Sequence, residues 1–399
     1  KLRLIYLLRR HYLVCIVVLL TIILVYEEQT MGMFYFYRMN YYNRIVFQPI
    51  FATRENNAPH IGIVSITKTD DLREYDLAVE TVQCYASIHN YSFYVIIAEN
   101  RPDLAAGCSQ KTFMFLRHCI MAKLMELSKE EWFLFQDTDM GLINPNHLIE
   151  EFLPETSDTH VLLYDRIQNF ELTAGSYIVR NSPQARRFLL HWAAKESQLP
   201  DSFHGSDNGI LHNVVLDYTA GVSKLQRDQC QAILNTSTGF PTLYRYEACA
   251  RRLMEGKPIA GIEVRGKKHG RRWARDGWLT ENVWSPTDFV LHGWQRYRLD
   301  TFIFGRWHWP LVYLPSVEAR RLLGRSNAER EAATAPVQES LELLNQTCTR
   351  RYGYRHWAYK DTFMGRASEL YATIDRTIDE MEVQRKRIIY GLLKDGRIT

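Results

Sequence analysis

An apolar run that ends in two carboxylates constrains this chain more than any other feature. Trp132, Phe133, Leu134 and Phe135 have the character of a buried strand, and Asp137 and Asp139 follow at its carboxyl end, separated by Thr138. A break at Gly141, Asn144 and Pro145 closes the segment. In an open α/β sheet the carboxyl ends of the strands are where ligands bind. Two carboxylates at i and i+2 in that position suit a hard divalent cation that also grips a diphosphate. The plain alternative is an Asp turn closing a core strand, since ordinary Asp usage produces such triplets by chance. The strand before the triplet and the turn after it favour the site.

The surrounding pattern alternates between strand and helix. Ile61–Ile66 reads as a buried strand, Asp71–His89 as a helix and Phe93–Ala98 as a second strand. A helix over Lys111–Leu127 leads into Trp132–Gln136, and Val161–Tyr164 is a further strand. Strands separated by helices imply βαβ units, so the expected class is α/β: a Rossmann-type, mostly parallel sheet flanked by helices. Further on, Gly175 and Ser176 precede a short strand, Pro183–Lys195 starts a helix, and His204–Gly209 (HGSDNG) reads as a turn. Asp288–Trp294 (DFVLHGW) is a strand ending in His292 and Gly293. Beyond Pro315 the texture becomes charged helix, with Leu370, Ile374, Ile378 and Met381 at helical spacing, a stripe suited to docking on the body.

The amino-terminal segment suggests where such a body resides. Tyr12–Tyr26 carries no charge, Arg9 and Arg10 precede it, and Glu27 and Glu28 follow. The basic flank predicts an uncleaved signal anchor with a lumenal body, since no small-x-small cleavage site follows the apolar run. The expected organisation is a cytoplasmic tail (1–11), a transmembrane anchor (12–26), a stem (27–58), a catalytic domain (59–315) and a helical carboxyl-terminal extension (316–399). Such a protein is a single-pass type II membrane protein of the Golgi or endoplasmic reticulum. Cys84, Cys108, Cys119, Cys230, Cys249 and Cys348 form an even set able to pair in an oxidising lumen, and the spacing alone assigns no pairs. Asn90, Asn235 and Asn345 sit in N-x-S/T triplets. A formal charge of +4, with no basic stripe interleaved with aromatics, gives no ground for a nucleic-acid partner.

Several residues could complete a diphosphate-handling site. Asp139 is expected as a direct ligand of manganese or magnesium, with Asp137 reaching the metal or a ribose. His292 is the candidate third ligand, and Gly293 beside it would let the backbone approach a phosphate. Asp207 and Asn208 could grip sugar hydroxyls or simply cap the Gly209–Leu216 segment. Lys123, within an apolar helix, could pair a phosphate or snorkel. Gly175 and Ser176 could form a close-approach loop under a donor or an ordinary strand entry.

The ordered blocks FLRHC, AKL, WFLFQDTDMGLINP, YDR, ELTAGSYIVRNS, HGSDNG and DFVLHGW resemble a nematode-expanded family grouped with nucleotide-diphospho-sugar transferases. That family is similar in turn to fungal galactosyl- and mannosyltransferases and plant xyloglucan xylosyltransferases. The match runs over roughly residues 60 to 310 and implies a GT-A-like fold. By position, the resemblance implies Lys123, Asp137, Gly175, Ser176 and Gly293 as donor-binding residues. It likewise implies Asp137, Asp139 and His292 as metal ligands, and Asp207 and Asn208 at the donor sugar. Thr138 departs from the small residue usual within the D-x-D, and Gln136 stands where an apolar residue is usual.

The expected reaction is metal-dependent transfer of a sugar from a nucleotide sugar, of which a UDP-sugar fits best, to a glycan or glycoconjugate acceptor. The related enzymes retain anomeric configuration. Retention needs no side-chain base, and Asp207 would then stabilise positive charge at the anomeric carbon. Under inversion, Asp207 or Glu171 would be the base to test. A phosphohydrolase of the haloacid dehalogenase type also ends a strand in D-x-D, but it needs a later Gly-Asp-type acidic motif, and no Gly-Asp dipeptide occurs here. A catalytically inactive lumenal binding protein with the same fold is the remaining alternative.

Overall fold

Strand Ile61–Thr67 (β1) is buried at every position and hydrogen-bonds on both sides, which is why it reads as a mostly apolar run without alternation. It pairs in parallel with Ser92–Ile97 (β2) on one side and Trp132–Gln136 (β3) on the other. In this computed structural model, which describes residues 53–268, 272–298, 301–303, 305–311 and 359–399, these strands belong to a six-stranded sheet. The remaining members are Val161–Tyr164 (β5), Ser176–Arg180 (β6) and Ile262–Arg265 (β7). The order is β2-β1-β3-β6-β5-β7, with β6 antiparallel to both its neighbours and the other pairs parallel. The expected mostly parallel α/β sheet is present, with one antiparallel strand at its centre.

Helices cover the sheet. Asp76–His89 (α1) follows β1, and Phe113–Leu127 (α2) precedes β3. Pro183–Ala194 (α3) begins with Pro in its first turn, and the Ser182 hydroxyl accepts the Ala185 N–H as a cap. Ser206–Asp217 (α4), Lys224–Leu234 (α5) and Phe240–Met254 (α6) complete the body. Helix α2 buries most of its circumference, Arg117 and His118 included. An Arg and a His inside such a helix require partners there.

A second, three-stranded sheet lies beyond the end of β3. Met140–Leu142 (β4) pairs antiparallel with Val290–His292 (β9), which pairs in parallel with Ala274–Asp276 (β8). The register sets Met140 and Asp276 on either side of His292. Arg296 then ties the chain after β9 to α1: its Nε and Nη2 donate to Asp76 at 2.7 and 2.5 Å.

The expected tail and anchor, and the stem up to residue 52, lie outside the described residues. Among the described residues no helix is long and apolar enough to cross a membrane. Arg54, within the expected stem, packs on the body, over the Tyr91 ring at 4.3 Å and paired with Glu150 at 2.6 Å. Of the expected extension, Ala367–Lys394 (α7) is described. Its Leu370, Ile374 and Leu392 are buried, so the apolar stripe docks on the body, with Leu392 in the main core. Cys108 pairs with Cys119 and Cys230 with Cys249.

Glu80 on α1 is driven up to about 7, first by burial and then by the neighbouring Asp76, with Arg296 opposing. A carboxyl raised in the folded state stabilises the fold below its unfolded value, and that contribution is lost as pH rises through about 7. Glu80→Gln should therefore flatten the decline in unfolding free energy, read from urea titrations between pH 5 and pH 8, by on the order of 2 kcal/mol at the upper end. An unchanged decline in the variant contradicts this assignment.

Candidate metal and donor site

The D-x-D turn is held from two directions. On the sheet side, Gln136 pairs with Ser176 across β3 and β6, and the Asp137 N–H donates to the Gly175 carbonyl at 2.7 Å. A Cβ on Gly175 would lie 2.6 Å from Asp137 Oδ2, so only glycine leaves room for that carboxylate. On the other side, the backbone N–H groups of Gly293 and Trp294 both donate to the Asp139 carbonyl, at 3.0 and 2.8 Å. These contacts bring Asp137, Asp139 and His292 together, with one ligand atom from each lying within 4.8 Å of the others.

The donor set fits a divalent cation. Two carboxylates and an imidazole suit manganese or magnesium, or another first-row ion. His292 Nδ1 is bonded to Asp276 Oδ1 at 2.8 Å and Nε2 faces Asp139 Oδ1 at 3.3 Å. A carboxylate on Nδ1 fixes the tautomer that leaves Nε2 as the ligand atom. Burial opposes charge on His292, but Asp139 and Asp276 overcome it and raise the imidazole to about 10. Burial likewise raises Asp139, and His292 and Arg298 outweigh it, holding the carboxyl at about 2. Asp137 moves the other way, because burial and the Asp139 charge exceed the pull of Arg117. Two adjacent carboxylates that repel one another are what a cation would relieve. Gln295 Nε2 donates to Asp139 Oδ2 at 2.5 Å, and Arg298 stands 3.6 Å from the same oxygen.

Beneath this triad lie two buried ion networks. Arg117 bonds the Asp137 carboxylate and also donates to Asp207 Oδ2 through Nε at 3.1 Å and Nη2 at 2.6 Å. His118 Nε2 meets the same Asp207 oxygen at 3.1 Å, and its ring stacks on Trp192 at 3.6 Å between centroids. Burial would raise Asp207, but Arg117 and His118 outweigh it and the carboxyl is lowered. Burial holds His118 itself down at about 4, so it is neutral and donates. In the second network Arg166 donates to Asp276 through Nε at 3.0 Å and Nη2 at 2.7 Å, and to Glu171 at 2.9 Å.

The other residues singled out from sequence have plain positions. Asp207 is in the first turn of α4, with no exposed surface, and meets Arg117 and His118. Asn208 Oδ1 accepts the Ala174 N–H at 2.8 Å and so pins the loop that carries Gly175. Ser176 is buried, its hydroxyl donating to the Phe135 carbonyl and accepting from Trp273 Nε1, both at 2.8 Å. Gly293 adopts φ of 108° and a Cβ there would meet Trp307 at 1.7 Å, so glycine is required by packing, and its N–H serves Asp139. Lys123 does not join the cluster. It is partly exposed and lies 3.9 Å from Glu126. Six residues separate it from Arg117, which on a helix turns its side chain roughly 240° away.

Gln136 is buried, its amide donating to the Met140 carbonyl at 3.1 Å, so it braces the turn from within. Arg117, His118, Arg166 and Asp276 were not singled out from sequence. The signal for the first two was available, because an Arg-His pair interrupts an otherwise apolar helix. Asp276 sits in a three-residue strand, too short to show any period.

A family model matches residues 82–306. The chain belongs to the DUF273 family. That family is described only as a protein of unknown function, and no curated protein matches the chain. Among solved structures, the DUF273 chain is similar to a glycosyltransferase involved in the glycosylation of the major capsid of PBCV-1, at 17% identity over 59% of this chain and 94% of that one, with a TM-score of 0.38. It is also similar to the galactosyltransferase LgtC in complex with donor and acceptor sugar analogs, at 14% identity over 38% and 70%, TM-score 0.28. A third is the mannosyltransferase PcManGT from Pyrobaculum calidifontis in complex with GDP-Man and Mn2+, at 10% identity over 88% and 94%, TM-score 0.26. Scores this low establish no shared activity, so the residues themselves have to carry the function of this DUF273 member.

Gly175→Ala should displace the Asp137 carboxylate and weaken manganese binding by about 10- to 100-fold, read by electron paramagnetic resonance of the free ion, while the melting temperature changes little. Equal manganese affinity in the variant and the parent contradicts the placement of Asp137 at the ion.

Proposed function

We propose that this protein is a metal-dependent glycosyltransferase that moves a sugar from a nucleotide-sugar donor, a UDP-sugar fitting best, to a glycan or glycoconjugate acceptor. The observation that carries the proposal is the convergence of Asp137, Asp139 and His292 at the carboxyl end of a parallel strand, where α/β sheets bind nucleotides. Asp137, Asp139 and His292 would hold manganese or magnesium, and the bound cation would supply Lewis-acid stabilisation of the departing diphosphate.

The chain's own residues favour retention of configuration. Neither carboxylate considered as a base is free to act as one. Asp207 Oδ2 accepts bonds from Arg117 and His118, and Glu171 is held by Arg166. The acceptor proton then passes to the leaving phosphate oxygen as the bond from acceptor oxygen to anomeric carbon forms and the bond to phosphate breaks. Arg117 fixes Asp137 and Asp207 in place, and Asp207, held ionised by Arg117 and His118, would stabilise positive charge that develops on the sugar. Asn208 keeps the Gly175 loop closed against Asp137.

The anchor over Tyr12–Tyr26, with basic residues before it, supports a type II membrane protein of the Golgi or endoplasmic reticulum with a lumenal body. The pairs Cys108–Cys119 and Cys230–Cys249 agree with an oxidising compartment.

Calorimetric titration of UDP and GDP with and without manganese tests the proposal. One nucleotide should bind only when manganese is present, and Asp139→Ala should abolish that binding while the variant stays folded. Metal-independent binding, or none by a folded protein, refutes a working donor site.

A further inference from the structure

Two N-x-S triplets fall within the described residues, and the fold treats them differently; the triplet at Asn345 lies outside those residues. Asn90-Tyr91-Ser92 spans the turn from α1 into β2, with Asn90 and Ser92 exposed and Tyr91 buried between them. Asn235-Thr236-Ser237 closes α5. There the Asn235 amide oxygen accepts Gln231 Nε2 at 2.8 Å, and Ser237 is buried with its hydroxyl 3.1 Å from that of Thr242. Modification of such a triplet needs the Asn amide and the hydroxyl two residues on at the surface together. Among the described residues only the Asn90 triplet offers both.

The turn is built to present that side chain. Asn90 adopts φ of 57° and ψ of 45°, the left-handed conformation that ends many helices. Arg54 donates to the carbonyls of His89 and Asn90, at 3.2 and 3.0 Å, and the Tyr91 N–H donates to the Ala86 carbonyl at 2.9 Å. The backbone is thus held while the Asn90 amide makes no hydrogen bond among the described residues. Asn also tolerates left-handed backbone well, so the cap alone would account for this residue. Gly would serve that cap equally and carries no amide, which separates the two roles.

The position leaves the candidate site open. Ser92 is in register with Gly62, near the start of β1, so the turn lies at the amino ends of the parallel strands. Asp137 and Asp139 follow the carboxyl end of β3. Strand β2 is also an end strand of the six-stranded sheet. A bulky hydrophilic group at the start of an end strand hinders pairing of that edge with another chain.

We propose that Asn90 carries an N-linked glycan. The proposal rests on the lumenal reading of the body, which the Cys108–Cys119 and Cys230–Cys249 pairs support, and not on the metal site. The donor is an oligosaccharide on a lipid diphosphate, and a separate membrane transferase performs the step. Asn90 Nδ2 bonds to the anomeric carbon of that oligosaccharide. The bond from this carbon to the diphosphate oxygen breaks, its electron pair leaves with the diphosphate, and one amide proton passes to solvent.

The full chain expressed in cultured animal cells tests this. Intact microsomes are treated with protease from outside, and the protected protein is then treated with a glycosidase that removes Asn-linked glycans and converts the Asn to Asp. The body should be protected, and the peptide bearing Asn90 should show the Asn-to-Asp mass change. Asn90→Gly, which keeps the left-handed cap, should lose one step of gel mobility and stay folded. Ser92→Ala should lose the same step with Asn90 in place, and Ser92→Thr should keep it. A protected body whose Asn90 peptide shows no mass change overturns the site alone. A body digested in intact microsomes overturns the lumenal reading and the site with it. As many mobility steps in Asn90→Gly as in the parent likewise overturns the site.

Discussion

The site depends on one backbone carbonyl. Asp139 presents its C=O to the N–H groups of Gly293 and Trp294, and this joins the D-x-D turn to the end of β9. Without that junction β3 would deliver two carboxylates to a surface and nothing more. With it, the antiparallel register sets His292 opposite Met140 and beside Asp276, so the imidazole and the carboxylate that orients it arrive together. The local sequence serves the junction closely. Gly141 has no room for a side chain, since a Cβ would fall 1.9 Å from Trp294, and Gly293 is equally confined by Trp307. Two glycines and two tryptophans thus fix the approach of segments far apart in sequence.

Below the junction, electrostatics matter more than packing. Arg117 is nearly inaccessible and compensates two aspartates, while Arg166 compensates Asp276 and Glu171. Burying such groups costs several kcal/mol per ion, and removing one partner is worse than never having buried the pair. The arrangement is poorly explained as a stabilising device and well explained as a way to hold carboxylates in place. The charges around the triad are arranged in tiers. Asp139 and Asp276 are held ionised, Asp137 is pushed toward protonation, and His292 carries a proton that a metal ion would have to displace.

Much of the fold was legible because periodicity reports burial. The mostly apolar runs of β1, β3 and β5 are strands as their patterns imply, and of the stripe Leu370, Ile374, Ile378 and Met381 the first two are buried on the body and the last two half-buried. Helix α1 begins at Asp76 and not at Asp71, because the polar residues of Asp71–Tyr75, which a helix would tolerate, form a turn ahead of it. Within the site, residues on short loops after strands were legible, because Asp, His and Gly at strand ends have few bland explanations. Residues that act through another side chain were not. Arg117 lies in a helix whose apolar pattern drew attention to Lys123, and the two point to different sides. Asp276 meets His292 only through a pairing of β8 with β9 that no local pattern encodes, and it meets Arg166 from the other sheet only by side-chain packing. Asp207 stands out in sequence within HGSDNG, but its full burial against Arg117 and His118 comes only from three dimensions.

The central claim is that the Asp139 junction builds a cation site from Asp137, Asp139 and His292. Anomalous diffraction from a crystal soaked in manganese tests it most directly. The account predicts one strong anomalous peak bonded to His292 Nε2 and to a carboxylate oxygen of Asp139, with Asp137 on the same ion. No peak there at saturating manganese, with His292 still paired to Asp139, would contradict it.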